Sequence, residues 1–405
     1  MTTSGSQTPT ATTTSNDPSV TGATSTSGSG TAGSGSGATA GSTTSTTPLG
    51  GTSSTPQPVD PASTDPAATP GSGPSPPAAW TLSLAPTASA VSVSVDGTNL
   101  DVTVDGVVTS RPLAEVTSLA ITGGNALAVD LGGGAISVPV SYTAATAGSV
   151  SVGSGAGSTW TYDGKSSLQV AGGGIAGLSV QNVTAISAGG TSDTLVGPAA
   201  NTTWTISGAD SGTVDSLSFS GIENLLGAPN NQDTFVLQQN GSLSGGLDGG
   251  AGGYDTLVLD GTWKSEVSNP VDHSSGTMTL DGNVVHYAGL EPITNTGTVS
   301  DFVLNLQSGS PNDATLSSSG SQLVLSGASF ETTSFAPPSG SLTINLGSAG
   351  DTLTLGDISS IYSGPITVAG GAGTDTLAAP DVNGTWNITG IDAGTYTWQS
   401  GPTVT

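Results

Sequence analysis

The stretch GGAGTDTL at residues 370–377 brings three glycines and an aspartate together just ahead of an apolar position. Two kinds of chemistry use that combination. A carboxylate beside backbone carbonyls makes an oxygen-rich corner that Ca²⁺ prefers, and tandem glycine–aspartate nonapeptides hold that ion in parallel β-rolls. The same residues also make a plain tight turn, in which glycines take positive φ and the aspartate accepts hydrogen bonds from backbone amides. Asp-Thr-Leu or Asp-Thr-Phe occurs at Asp193, Asp233, Asp255, Asp351 and Asp375, and two neighbouring pairs are 22 and 24 residues apart. If coils of that length stack, Asp351 lies under Asp375 at one strand spacing, about 4.8 Å. Two carboxylates so placed repel by roughly 1 kcal/mol in water and 3–4 kcal/mol at an effective dielectric of about 20. A bound Ca²⁺ would relieve that repulsion. Asp351 and Asp375 are therefore the first candidate metal ligands, with Asp233, Asp248 and Asp255 as further ones.

The tandem pattern itself is incomplete. Only Gly370, Gly371, Gly373, Asp375 and Leu377 match it in full. GGAGGYDTL at 249–257 carries one residue too many, which puts Asp255 out of register with Gly249 and Gly250. GSAGDTL at 347 and GGTSDTL at 189 are each too short. An isolated repeat offers half a site, and the capped turn is the simpler reading.

Other chemistry finds less support. Tryptophans 80, 160, 204, 263, 386 and 398 invite a sugar-stacking role, yet Trp204 and Trp386 alternate with Ile206 and Ile388 on one strand face, as core residues do. His273 and His286 stand alone, in VDHSSG and VVHYAG, and make no metal cluster. There is no G-x-S-x-G, no H-E-x-x-H and no P-loop. GGGIAG at 172–177 formally fits a dinucleotide loop, but a strand pattern follows it, with no acidic residue about 20 positions on. The chain is read as no enzyme. A polysaccharide hydrolase or lyase is the enzyme class to test, and it requires a groove lined by at least two carboxylates and an exposed tryptophan.

Composition narrows the classes. Three Lys and Arg face 29 Asp and Glu, giving a net charge of −26 over 405 residues. Arg111, Lys165 and Lys264 lie far apart, so no phosphate-binding surface forms and nucleic acid is excluded as a partner. No run of about 20 apolar residues offers a membrane span. The chain has no cysteine, which rules out disulfides and agrees with an oxidising exterior without requiring one. No secretory signal is visible at the N-terminus, and the repeats below stop mid-unit, so a fragment of a longer protein is expected.

The elements that must position these residues are strands. Residues 1–79, rich in Ser, Thr, Gly and Pro, cannot bury enough surface to order themselves and read as a disordered linker. From Trp80 onward short alternating runs are separated by Gly, Asn and Asp, and VSVSVDGTNLDVTV reads as a β-hairpin. GIENLLG is read as a single turn of helix. Residues 193–213 and 375–395 match at twelve of 21 positions, at an offset of 182. Two copies follow, 80–290 and 291–405, the second truncated. The fold expected is all-β: an elongated β-solenoid or β-helix-like region of stacked coils, with serial antiparallel β-sandwich modules as the alternative.

The blocks VSVDGTNLDVTVDG, GLEPITNTG, GSLTINLG…DTLTL and NTTWTISG…FSGIENLLG…DTF…LDGGAGGYDTL resemble giant repeat-rich bacterial surface and secreted proteins. These are relatives of haemolysin-type calcium-binding repeat proteins and filamentous adhesins. The resemblance implies an extracellular or cell-surface repeat protein with a structural or adhesive role, meeting a cell-surface or matrix polysaccharide or protein. A calcium-dependent secreted binding module is the alternative it carries.

Overall fold

The computed structural model describes residues 76–88, 90–153 and 155–405. The linker expected over residues 1–79 lies outside the described residues up to position 75, and Ala78 and Ala79 already belong to the first strand, Ala78–Ser83. The described residues have an all-β, solenoid-like fold. Their 33 strands form one mixed sheet that does not close into a barrel, with a single 3-10 turn at Leu113–Glu115.

Alternation makes the strands. In Val91–Asp96 the valines are buried while Ser92 and Ser94 are half-buried, so one face of the pleat carries the apolar load. The hairpin expected there forms, with Val93 opposite Val102 and the turn at Gly97 in positive φ. GIENLLG is not helical: Asn224–Leu226 is a strand, because Leu225 is held between Leu195 and Leu247 and three residues are too few to nucleate a helix.

Parallel pairing stacks successive rungs into columns of mostly apolar residues. One column runs Trp80, Leu119, Val140, Leu178. Others run Trp160, Leu195, Leu225, Leu247, Tyr287 and Trp204, Phe235, Leu257, Ile293, Thr333. Further along lie the columns Glu266, Phe302, Leu342, Ile366, Val404 and Ala314, Leu353, Leu377.

Antiparallel pairing is woven into the same sheet rather than closed into separate sandwiches. Three-stranded meanders recur, as at Thr203–Gly208, Ser211–Val214 and Leu217–Ser220 or at Thr262–Pro270, Gly276–Leu280 and Asn283–Ala288. The outer strands of a meander also pair in parallel with neighbouring rungs. Thr203–Gly208 meets Thr234–Gln238, and Leu217–Ser220 meets Ile175–Gly189. The meander therefore carries the chain from one column to another within the hydrogen-bonded sheet.

The core falls into two clusters, one from Trp80 to Ile293 and the other from Val299 to Val404. A polar layer lies between them. Glu266 is paired with Leu280 of the first cluster and Phe302 of the second. Asn295 stands between Leu259 and Phe335, and Thr333 between Ile293 and Leu325. All three are buried.

Candidate functional site: carboxylate ladders between rungs

Each Asp-Thr-Leu or Asp-Thr-Phe aspartate sits on the residue just before a strand. There the backbone amide has to find a partner in the neighbouring rung, and a carboxylate supplies it. Asp255 Oδ1 accepts the amide of Asp233 at 2.6 Å, and Asp233 Oδ1 accepts that of Thr202 at 2.8 Å. Asp375 Oδ1 accepts the amide of Asp351 at 2.9 Å, and Asp351 Oδ1 that of Asn312 at 2.6 Å. A third ladder uses Glu223 Oε2 for Asp193 at 2.7 Å and Asp193 Oδ1 for Ser158 at 2.6 Å. The geometry is the same each time: a carboxylate reaches back one rung. Asparagines reinforce it, with Asn231 Nδ2 donating to Asp233 Oδ1 at 2.9 Å and Asn312 Nδ2 to Asp351 Oδ1 at 3.2 Å.

The candidate ligands therefore come together as two separate pairs, Asp233 with Asp255 and Asp351 with Asp375. The stacking of Asp351 under Asp375 is present, since Thr352 pairs with Thr376. The Asp351 amide donates to the stacked Asp375 carboxylate, and the Asn312 amide to that of Asp351, which offsets part of their repulsion. Asp248 belongs to another column, on Gly246–Asp248, where its Oδ1 accepts the Gly250 amide at 2.9 Å. It meets the ladder only through its charge on Asp255.

Burial dominates the electrostatics. It lifts the Asp233, Asp255 and Asp351 carboxyls above their usual range. For Asp233 and Asp351 the ladder hydrogen bonds pull back down, while Asp255 and Asp375, respectively, push up by repulsion. The Oδ2 atoms of Asp233 and Asp351 are buried without a hydrogen-bond partner. Their chemistry is that of hard-cation donors. Each Oδ1 is already turned to an amide, and among the described residues no three His, Cys, Asp or Glu side chains gather around one point.

The glycines of the motif answer to close approach. A Cβ on Gly371 would overlap the Gly347 carbonyl oxygen, and one on Gly373 the Ala349 oxygen, both residues having positive φ. A Cβ on Gly370 would stand 2.6 Å from Asp375 Oδ2. Gly249, Gly250 and Gly253 repeat these roles ahead of Asp255, and Gly252, at φ +70°, absorbs the additional residue. The longer motif is thus in structural register although its spacing differs.

The remaining candidates separate. Trp204 is buried and stacks on Phe235 with ring centroids 5.4 Å apart. Trp386 is half-buried against Tyr396, at 4.9 Å. His273 is exposed, with Nδ1 3.0 Å from Glu291 Oε1, and His286 is exposed. Gly172, Gly173 and Gly174 form the turn into Ile175–Gly189, all at positive φ. An open groove of about 820 Å³ near the second repeat copy is lined by Asp375, Asp392 and Trp386 among others.

Sequence reasoning missed Glu223, Thr202 and Asn312 as ladder members. Asn312 had a signal, because NDATL is a diverged form of the Asp-Thr-Leu motif; Glu223 had none beyond preceding a short apolar run. Comparison of the chain with protein-family models, with curated proteins and with solved structures gives no match in any of the three.

Proposed function

We propose that the chain is a non-catalytic structural and adhesive repeat segment working outside a bacterial cell, at its surface or after secretion. The observation that supports this reading is the carboxylate ladder, one capping geometry met in three columns. A capped rung offers the next rung the same edge, so the scaffold extends by repetition, each unit touching mainly its neighbours. Its acidic, serine- and threonine-rich exterior suits many weak contacts to a surface or matrix polysaccharide or protein, summed by multivalency. The test is antibody labelling of the source cells. Signal on intact cells or in the medium is expected; signal only after permeabilisation overturns the reading.

A second reading, the calcium-dependent secreted module, draws on the unpartnered Oδ2 atoms of Asp233 and Asp351, with Asp255, Asp375 and Asp248 as the nearby carboxylates. It expects chelation to lower the melting temperature and Ca²⁺ to restore it. An unchanged melt and β signal by circular dichroism would end it. The polysaccharide hydrolase or lyase reading draws on the groove shared by Asp375, Asp392 and Trp386. It expects new sugar ends to be released from an extracellular polysaccharide, and Asp392→Asn to stop the release.

A further inference from the structure

The two copies of the 21-residue repeat differ in what lies against them. Leu195, Trp204 and Ile206 of the first copy are all 0% exposed. Their counterparts Leu377 and Trp386 are half-buried, and Ile388 is 64% exposed. Pairing explains the contrast. Thr194–Val196 is flanked on both sides, by Ser158–Tyr162 and by Asn224–Leu226, whereas Thr376–Ala378 pairs only with Thr352–Leu355 among the described residues. Thr203–Gly208 has Thr234–Gln238 along its outer edge, while among the described residues Gly384–Gly390 pairs with Ala393–Trp398 alone.

The molecule therefore shows what covers this motif when it is covered. The cover is the segment 223–238, ENLLGAPNNQDTFVLQ. It sets Leu225 beside Leu195, stacks Phe235 on Trp204 and sets Leu237 beside Ile206. Its Glu223 and Asp233 carboxylates accept the amides of Asp193 and Thr202. Over the second copy the same ground is the open groove, with Leu377, Trp386, Ile388 and the 90%-exposed Ile391 in its lining.

We infer that the edges of Thr376–Ala378 and Gly384–Gly390 that are unpaired among the described residues form a strand-accepting face whose occupant is an extended peptide of the pattern Glu-Asn-Leu-Leu, turn, Asp-Thr-Phe-Val-Leu, laid down in parallel. Its leucine covers Leu377, its phenylalanine stacks on Trp386 and its last apolar residue covers Ile388. Its two carboxylates accept the amides of Asp375 and Gly384, the counterparts of Asp193 and Thr202. Main-chain pairing gives the affinity, and the alternating side chains give the register. This inference does not depend on where the protein works in the cell.

The test uses the full 405-residue chain and a fluorescently labelled peptide of sequence 223–238, followed by polarisation. Saturable binding is expected. Ile388→Asp in the chain should weaken it about tenfold or more, since a buried apolar contact is replaced by a desolvated charge. Ile388 is already mostly exposed, so the variant should fold normally by circular dichroism. Phe235→Asp in the peptide alone should weaken binding by a similar factor, and this arm does not depend on the fold of any variant. Absence of saturable binding, or binding that both changes leave untouched, overturns the inference. So does self-association of the chain that Ile388→Asp abolishes but excess peptide does not compete away, because that would give the face to a second copy. Binding of a polysaccharide there in place of the peptide overturns it as well.

Discussion

The glycines and aspartates of the turns act as one device. Glycine lets a neighbouring carbonyl or carboxylate come closer than any side chain would permit, and the aspartate uses that closeness to reach the adjacent rung. Two of these contributions can be measured apart. Gly371 has both positive φ and the Gly347 oxygen in the way of a Cβ, whereas Gly320 has positive φ and nothing within 4 Å. Gly320→Ala should cost about 1 kcal/mol of unfolding free energy, the backbone term alone. Gly371→Ala should cost about 3 kcal/mol or more, because the overlap has to be relieved by moving backbone. Equal shifts in urea midpoint would refute the close-approach explanation. At Asp233 the acceptor matters more than the charge. Asp233→Ala strands the Thr202 amide and removes one of the two acceptors of Asn231 Nδ2, at about 2–3 kcal/mol, while Asp233→Asn keeps one oxygen for the ladder and should cost less than half of that. If the two variants melt alike, the ladder is not what holds the rung.

At the scale of the elements, packing depends on which rung lies next door, and the repeat isolates that effect. Ile206→Ala should cost about 3 kcal/mol because a well-filled site is hollowed, whereas Ile388→Ala, in the same local sequence, should change stability by less than about 0.5 kcal/mol. Chemical denaturation of the two variants checks this, and equal losses would contradict the exposure difference. The same pair marks how far the sequence could be read. Alternation at Val91–Val95 and the recurring Asp-Thr-Leu motif pointed to strands and stacked coils, because burial on one pleat face leaves a period of two and a repeated corner leaves a repeated spacing. Ile206 and Ile388 look alike in sequence, yet only one is covered, since cover comes from residues 30 positions away whose pairing no local pattern encodes. Asn224–Leu226 was opaque for a related reason: three residues carry no period, and the columns on either side decide their conformation. For the candidate ligands, spacing revealed which aspartates stack, but not that each first satisfies an amide.

On the scale of the whole molecule, the polar layer between the two core clusters is the place where pH should act. Glu266 is fully buried, with Asn295 Nδ2 donating to Oε2 at 2.6 Å and Oε1 without a partner. Burial raises its pKa to about 7, against the pull of that hydrogen bond. Glu331, also buried, rises to about 8 through burial and then through repulsion from Glu291, whose Oε1 lies 3.0 Å from His273 Nδ1. The sign follows from linkage. In the unfolded chain both groups ionise near their ordinary value of about 4.5, whereas the folded state keeps them protonated to about 7 and 8. Their neutral forms thus leave stability intact below about pH 4.5, and it is lost as pH climbs through 7 and 8; for Glu266 alone the loss approaches about 3 kcal/mol. Since a repeat scaffold is only as cooperative as its weakest junction, charging this layer should separate the two clusters. Thermal unfolding at pH 5 should be a single transition. At pH 8.5 it should begin lower and split, with hydrogen exchange showing Val299–Val404 opening apart from Trp80–Ile293. Glu266→Gln should remove a large part of the pH dependence while leaving the pH 5 melt almost unmoved, and a melting profile that is the same at both pH values would show that the layer stays dry and neutral throughout.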